Sequence, residues 1–433
     1  MAKDHYLYSG LGKKEYFSLP AEWVPIHFVE TEEETSLSSV EQMTHNALSV
    51  PIGTPPLKDL ISGAQSVAII VDDWTRPTPV AEILQVLLPH LVRNGFPREN
   101  VTVVIALGTH VPMTQEELEA RVGRDVISHY KIVQHNAWQT DLVPITLPDD
   151  GRIVRINPEV AQAEVKIGIS SILPHPMAGY GGGPKILMPG VSNFEFIRDH
   201  HMRHTIHPRS IAGLTKGNPF HEDCMRAARA IGLDFSINCV YNQRGEIVRI
   251  LGGGLETGFV ASVEVCSKKL GVRFEEKVDV TITSTYPHTH GHQFCKGLSA
   301  PDLVTKETGA ILIVAPTVTA VSDEFVNSFN LVKERSHNNS VEYVKGAMSK
   351  GIPFLPDKPV EFNMAMSCVI LRPKIRTILV SPMITRAEAR TMGLEYAPSV
   401  EEGLRLIKNV YPKASVAIFP SGGLIVPTPA WQQ

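Results

Sequence analysis

The sequence predicts an α/β fold of two α/β domains with a catalytic cleft between them, and three observations lead there. Short β-branched runs alternate with segments of helical apolar spacing, the pattern of wound α/β sheets. The 433 residues exceed a single ordinary domain, at roughly 100–200 residues each. Polar loops rich in His, Arg and Asp follow the strand-like runs, and open α/β sheets bind ligands outside the carboxyl ends of their strands.

Taken in order, Ser66 to Val71 (SVAIIV) reads as a buried strand that ends in the polar loop Asp72 to Pro79. Pro79 to Asn94 carries apolar residues at helical spacing and stops at Gly95, a natural C-terminal cap. Val101 to Leu107 is a second strand, followed by Gly108-Thr109-His110. Thr114 and Glu117 then have the spacing of a capping box opening a helix. Val165 to Ile172 is a third strand feeding a glycine-rich loop from Leu173 to Gly190. Later strand-like runs are Val278 to Thr285, Ala310 to Ala315, Ile375 to Ser381 and Ser415 to Phe419. The charged stretch RFEEK at 273–277 marks the boundary. Residues 1–273 thus form an N-terminal domain carrying the glycine-rich and Asp-Arg loops, and residues 274–433 a C-terminal domain. The final segment, from Pro420 onward, can return to the first domain.

Composition narrows the function classes. A net charge of -4 gives no reason to expect nucleic acid or an anionic membrane as partner. The N-terminus lacks the apolar core of a signal peptide, and no apolar run approaches the ~20 residues of a membrane span. The five cysteines are scattered and form no C-x-x-C pair, which argues against a disulfide framework or a zinc knuckle. A reducing cytoplasm is the expected location.

The loops carry the chemistry. Asp73-Trp74-Thr75-Arg76-Pro77-Thr78-Pro79 joins a carboxylate, hydroxyls and a guanidinium ahead of a helix. It suits a phosphate or carboxylate, or else a plain helix entrance with Thr78 as the cap. His110 follows a strand and a glycine, where an imidazole can act as general base. In the run LPHPMAGYGGGPK (173–185), His175 is fixed between two prolines and Lys185 lies two residues past the last glycine. A lysine there suits phosphate binding or covalent attachment of a cofactor. The spacing is neither a Walker A loop nor a dinucleotide fingerprint in its usual setting. Two histidine groups suggest metal. His200, His201, His204 and His207 lie on a helical stretch, while His288, His290 and His292 alternate as if on one side of an extended chain. Gln293 and Lys296 follow, an amide and an ammonium able to hold a small carboxylate.

Together the segments D-W-T-R-P-T-P (73–79), L-G-T-H (107–110), H-P-x-x-G-Y-G-G-G-P-K (175–185), I-L-M-P-G-V (186–191), His200-His201 and Q-x-x-K (293–296) resemble the lactate racemase family. That family works with a nickel-pincer nucleotide (a pyridinium-3-thioamide-5-thiocarboxylic acid mononucleotide carrying nickel). The resemblance implies a racemase or epimerase of small-molecule 2-hydroxyacids, served by cofactor-biosynthesis proteins. It implies that Asp73, Thr75 and Arg76 bind the nucleotide and that Lys185 forms the thioamide link. His201, or its neighbour His200, is the implied nickel ligand. By the same resemblance His110 and His175 are the acid/base pair, and Gln293 and Lys296 contact substrate. Two departures point to a substrate larger or more polar than lactate, such as malate or a sugar acid. Histidines stand at 288–292 where an acidic residue is expected, and no tryptophan occurs between Trp138 and Trp431. Arg198, Arg203 and Arg209 are candidates to hold a second carboxylate. The competing readings are a Schiff-base enzyme of the pyridoxal-phosphate type using Lys185, and a non-catalytic metal-binding protein.

Overall fold

The computed structural model describes residues 5–10, 13–29, 38–372 and 374–430. Two six-stranded sheets dominate it. The first runs, in spatial order, Ile247–Gly253, Phe235–Tyr241, Val165–Ile172, Val67–Asp72, Val101–Ala106 and Lys131–Gln134. All its pairings are parallel except that of Ile247–Gly253. The central strands are apolar and buried along their length because helices cover both faces, the usual fate of parallel strands. The helix Val80–Arg93 packs Ile83, Leu84, Leu87 and Leu91 against one face, at the spacing of a single helical stripe. Thr114 and Glu117 form the expected capping box.

The second sheet is parallel throughout, in the order Glu395–Tyr396, Arg376–Val380, Thr305–Val314, Val278–Ser284, Ala414–Phe419 and Trp23–Phe28. Its last strand corrects the division at residue 273. Trp23 pairs with Ala414, and Leu7, Phe17 and Trp23 sit in the core beneath the second sheet, so the first residues of the chain belong to the C-terminal unit. Val426–Pro429 pairs with Gly271–Phe274, and Leu424 and Val426 pack with Tyr180, Phe259 and Leu270 of the first unit.

Strand order fixes where a ligand can enter. In the first sheet the chain reverses its direction of growth between Val67–Asp72 and Val165–Ile172. The loops leaving those two neighbouring strands diverge and open a crevice. The second sheet reverses between Val278–Ser284 and Ala414–Phe419. Residues 285–290 leave its strand toward the same crevice, and residues 291–298 then form a 3-10 helix. His288, His290 and His292 therefore do not alternate along an extended strand as expected. His207 likewise falls beyond the helix Phe194–His204 and is exposed.

Candidate active site

A cavity of about 370 Å³ lies between the two units. It is lined by the loop at 72–77, by 107–110, by the glycine-rich loop, by His201, by residues 287–296 and by the helix Val360–Ile370. All nine expected site residues, Asp73, Thr75, Arg76, His110, His175, Lys185, His201, Gln293 and Lys296, reach it.

The loop after the first strand is held from behind by Arg121. This buried guanidinium donates to the backbone carbonyls of Asp72 (2.8 Å) and Thr78 (2.8 Å) and pairs with the Asp72 carboxylate. Thr78 does not cap the following helix. Its hydroxyl donates to Asp72 Oδ2 at 2.6 Å and meets Ser171 Oγ at 2.5 Å, tying the loop to the neighbouring strand. Asp73, only 3% exposed, accepts the Thr75 amide (2.9 Å) and hydroxyl (2.5 Å), and Arg76 Nη1 donates to Thr75 Oγ1 at 2.8 Å.

Asp73 Oδ2 also lies 2.5 Å from His110 Nδ1. Burial opposes the Asp73 charge, yet the hydrogen bond and charge of His110, helped by Arg76, hold its carboxyl well below the usual range. Asp73 is an ionised acceptor, so the proton between the two groups belongs on His110 Nδ1, and in the neutral ring the lone pair lies on Nε2. Both Asp73 oxygens are thus engaged, Oδ1 by Thr75 and Oδ2 by His110.

His175 is wired the other way. Its Nδ1 accepts the amides of Ala178 (3.0 Å) and Met177 (3.3 Å), so the neutral ring carries its proton on Nε2. Burial, then the charges of Lys185, Lys296 and Arg76, push its pKa well below the ordinary histidine value. The geometry of the 173–185 loop needs its glycines. Gly183 has φ +52, and a Cβ there would stand 2.2 Å from the Phe259 ring. At Gly182, φ +69, a Cβ would stand 2.6 Å from the Ser171 carbonyl. This tight turn delivers Lys185 into the cavity over the Phe220 ring, 5.1 Å from its centroid. The amine has no carboxylate partner among the described residues. Burial, with Arg76, lowers its pKa toward the neutral, nucleophilic form.

The two adjacent histidines separate cleanly. His200 points away from the cavity, its Nε2 donating to the Phe220 carbonyl at 3.0 Å. His201 donates from Nδ1 to the Ile197 carbonyl at 2.8 Å, leaving Nε2 as a lone-pair donor toward the cavity. A carbonyl behind the distal nitrogen is how metal-binding imidazoles are usually oriented. Burial and Lys185 lower the His201 pKa to about 3, so the ring is in its ligating, neutral form. His200, His204 and Asp223 also cluster, but Asp223 is paired with Arg152 and Arg226, which leaves little negative charge for a cation.

On the opposite wall Lys296 is pushed down to about 7 by burial and by the nearby charges of Arg76 and Lys185. Arg198, Arg203 and Arg209 do not line the cavity. Arg198 pairs with Asp199, Arg203 is exposed, and Arg209 donates to the Gly217 and Lys216 carbonyls. The sequence reading missed the helix Val360–Ile370, whose Glu361, Met364, Ala365 and Cys368 form a further wall. Their spacing of three and four was the available signal.

Residues 11–213 match the model of the lactate racemase N-terminal domain. The lactate racemase of Thermoanaerobacterium thermosaccharolyticum is 32% identical over 283 residues, covering 64% of this chain and 66% of that protein. The lactate racemase of Lactiplantibacillus plantarum is 30% identical over 282 residues with the same coverage. The aligned stretch thus spans about two thirds of each relative. Over the whole fold, the lactate racemase apoprotein of T. thermosaccharolyticum superposes with a TM-score of 0.86 at 25% identity, covering 98% of this chain and 99% of that one. A Thermotoga maritima protein shares the fold alone, with a TM-score of 0.62 at 18% identity and 92% and 100% coverage. Fold and site together define an α/β protein of two six-stranded sheets with a polar cleft between them. The chain belongs to the lactate racemase family. No helix among the described residues is long and apolar enough to cross a membrane.

Proposed function

We propose that this chain is a racemase or epimerase that inverts C2 of a 2-hydroxyacid by hydride abstraction and return with a nickel-pincer nucleotide. Its substrate is larger or more polar than lactate. The observation that carries the reading is the convergence of two oppositely wired imidazoles, His110 and His175, on a cavity that also holds the buried Lys185 amine and the open Nε2 of His201.

The residues fit the cofactor. Lys185 would hold it covalently and His201 would ligate its metal, while Thr75 and Arg76 present a hydroxyl and a guanidinium suited to its phosphate. When bound, the cofactor supplies a hydride acceptor, which removes the need to take the weakly acidic C2 hydrogen as a proton. The chain's own residues do the rest. Lys296 and Gln293 bind the substrate carboxylate. His110 Nε2 takes the hydroxyl proton of one enantiomer, and Asp73 stabilises the imidazolium that forms. Asp73 is therefore assigned to positioning His110 rather than to the nucleotide. His175 donates a hydrogen bond from Nε2–H to the oxygen when it lies on the other side, and the proton taken up by His110, whose side chain is 30% exposed, passes to solvent, which returns one to the newly formed alkoxide. Two histidines are needed because inversion moves that oxygen from one wall to the other. Proteins of cofactor biosynthesis would be the loading partners.

The test is purification from a cofactor-making host, followed by metal analysis, intact mass and stereochemical conversion of single-enantiomer 2-hydroxyacids. A nickel ion, a mass adduct that disappears in Lys185→Ala, and inversion of at least one 2-hydroxyacid are expected. An adduct unchanged in Lys185→Ala places the attachment elsewhere, and no inversion of any 2-hydroxyacid overturns the reading.

A further inference from the structure

Consecutive residues of a helix point about 100° apart and do not ordinarily face each other. His200 and His201, in the helix Phe194–His204, are an exception. Their rings meet edge to face with centroids 5.1 Å apart, and the two Nδ1 atoms stand 3.3 Å from one another. Two facing lone pairs would repel at that distance, so one of the nitrogens carries a proton. The remaining contacts decide which. His200 is 1% exposed, and its Nε2 donates to the Phe220 carbonyl at 3.0 Å, with the Cys224 thiol 3.5 Å from the same atom. In the neutral ring its Nδ1 therefore holds the lone pair. The proton belongs to His201 Nδ1, which donates to the Ile197 carbonyl at 2.8 Å and to His200 Nδ1 at 3.3 Å, a bifurcated bond.

The His200 ring is itself clamped between two helices. It packs edge to face on Phe220, with centroids 4.4 Å apart, and on His204 at 5.2 Å. His204 Nε2 lies 3.4 Å from the Asp223 carboxylate, which Arg152 and Arg226 hold in turn. Phe220, Asp223 and Cys224 all belong to the helix Pro219–Ile231. The same Phe220 ring also lies 5.0 Å from the His201 ring and carries the Lys185 amine at 5.1 Å. His200 is thus the piece through which this second helix grips the back of His201.

We propose that His200 is a positioning residue for His201, fixing its tautomer and aiming its Nε2 lone pair into the cavity by accepting from Nδ1–H. This rests on the function proposed above, in which His201 ligates the cofactor metal. The Ile197 carbonyl alone leaves the ring free to swing about a single hydrogen bond. A second acceptor on the ring's other flank restricts that swing. It also polarises the Nδ1–H bond further, which moves electron density toward Nε2 and makes it a stronger donor to a metal. His200 points away from the cavity, so it acts through His201 alone.

The experiment uses His200→Phe, which keeps a ring and removes the acceptor, and His200→Asn, whose amide oxygen can take the place of Nδ1. Ring ¹⁵N NMR of the cofactor-free, histidine-labelled chains reports the tautomers. Loss of nickel to EDTA from the cofactor-loaded chains reports the hold on the metal, with adduct mass and Tm as controls. Wild type should show His200 protonated at Nε2 and His201 at Nδ1. His200→Phe should release nickel roughly 10- to 100-fold faster, the range expected when the group behind a metal-ligating histidine is removed. Its His201 should populate both tautomers while the adduct mass stays unchanged. His200→Asn should restore the single tautomer and release nickel within about threefold of wild type. A wild-type His200 protonated at Nδ1 overturns the proposal without any variant. So does nickel release in His200→Phe within about twofold of wild type, or a His200→Asn variant that loses nickel as fast as His200→Phe, since His200 would then serve packing alone. If wild type carries no nickel, the function proposed above falls, whereas a His201 tautomer lost in His200→Phe and kept in His200→Asn still supports the positioning.

Discussion

Replacing Asp73 with Asn tests the wiring of His110 with almost no change of shape. The carboxylate is 3% exposed and its Oδ2 sits 2.5 Å from His110 Nδ1. When His110 takes a proton, a full positive charge develops beside it. At an effective dielectric constant of about 20 and a charge separation of about 4 Å, the attraction is roughly 4 kcal/mol, close to three decades in rate. The His110 side chain is 30% exposed, so solvent screens part of this, and we expect kcat to fall roughly 10²- to 10³-fold. The Asn amide can also donate to Nδ1, which would place the ring proton on Nε2 and block the base. The assay is initial rate in both directions on the cofactor-loaded enzyme, with metal content, adduct mass and ¹⁵N NMR of the His110 tautomer as controls. KM, nickel and adduct should stay near wild type while the His110 tautomer shifts. A kcat within threefold of wild type refutes the reasoning, as does a loss of rate that simply tracks a loss of cofactor.

The remaining predictions concern the fate of hydrogen and of charge. Substrate carrying deuterium at C2 should keep most of its label after inversion and show a primary isotope effect, whereas rapid wash-out into water would indicate proton abstraction. Lys296 has a folded pKa of about 7 against 10.5 unfolded. Between those values the unfolded chain binds more protons, so stability rises with pH across that window and is flat for this group below it. The Tm of the ligand-free protein should therefore climb from pH 7 to pH 9, and Lys296→Met should flatten that climb. An unchanged slope would show that Lys296 is not the group responsible.

The parts of the fold that could be read from sequence are those where a single local rule dominates. VAIIVD, VTVVIA and VKIGISSI are short runs rich in β-branched residues, and Thr114 with Glu117 is a local motif, so each matched its element. Site residues on the loops after those strands were legible for the same reason, since strand ends predict where loops converge. Other elements depended on distant partners. WVPIHF contains a proline without an N–H, tolerated here because the strand lies at the sheet edge, and nothing local says that it pairs with residues 414–418. The helix Val360–Ile370 is apolar on most sides because it packs against several elements, and this blurred the stripe that would have exposed Glu361. The His288 to His292 stretch failed for a geometric reason. Alternation implies one face only in an extended chain, and the chain instead turns into a 3-10 helix at Gly291.

The strand Trp23–Phe28 has a consequence for the order of events during synthesis. Its hydrogen-bonding partner, Ala414–Phe419, leaves the ribosome only after the rest of both sheets has been made. The first sheet can close as soon as residue 253 is available, whereas the second must wait, its earliest strand unpaired and its apolar Trp23 without a core. A contact between segments so far apart in the chain is slow to form and leaves an exposed strand edge in the interim. The half of the cleft that supplies Gln293, Lys296 and Glu361 is thus the last to mature. The strands that carry the Lys185 loop are complete before that half has all its strands.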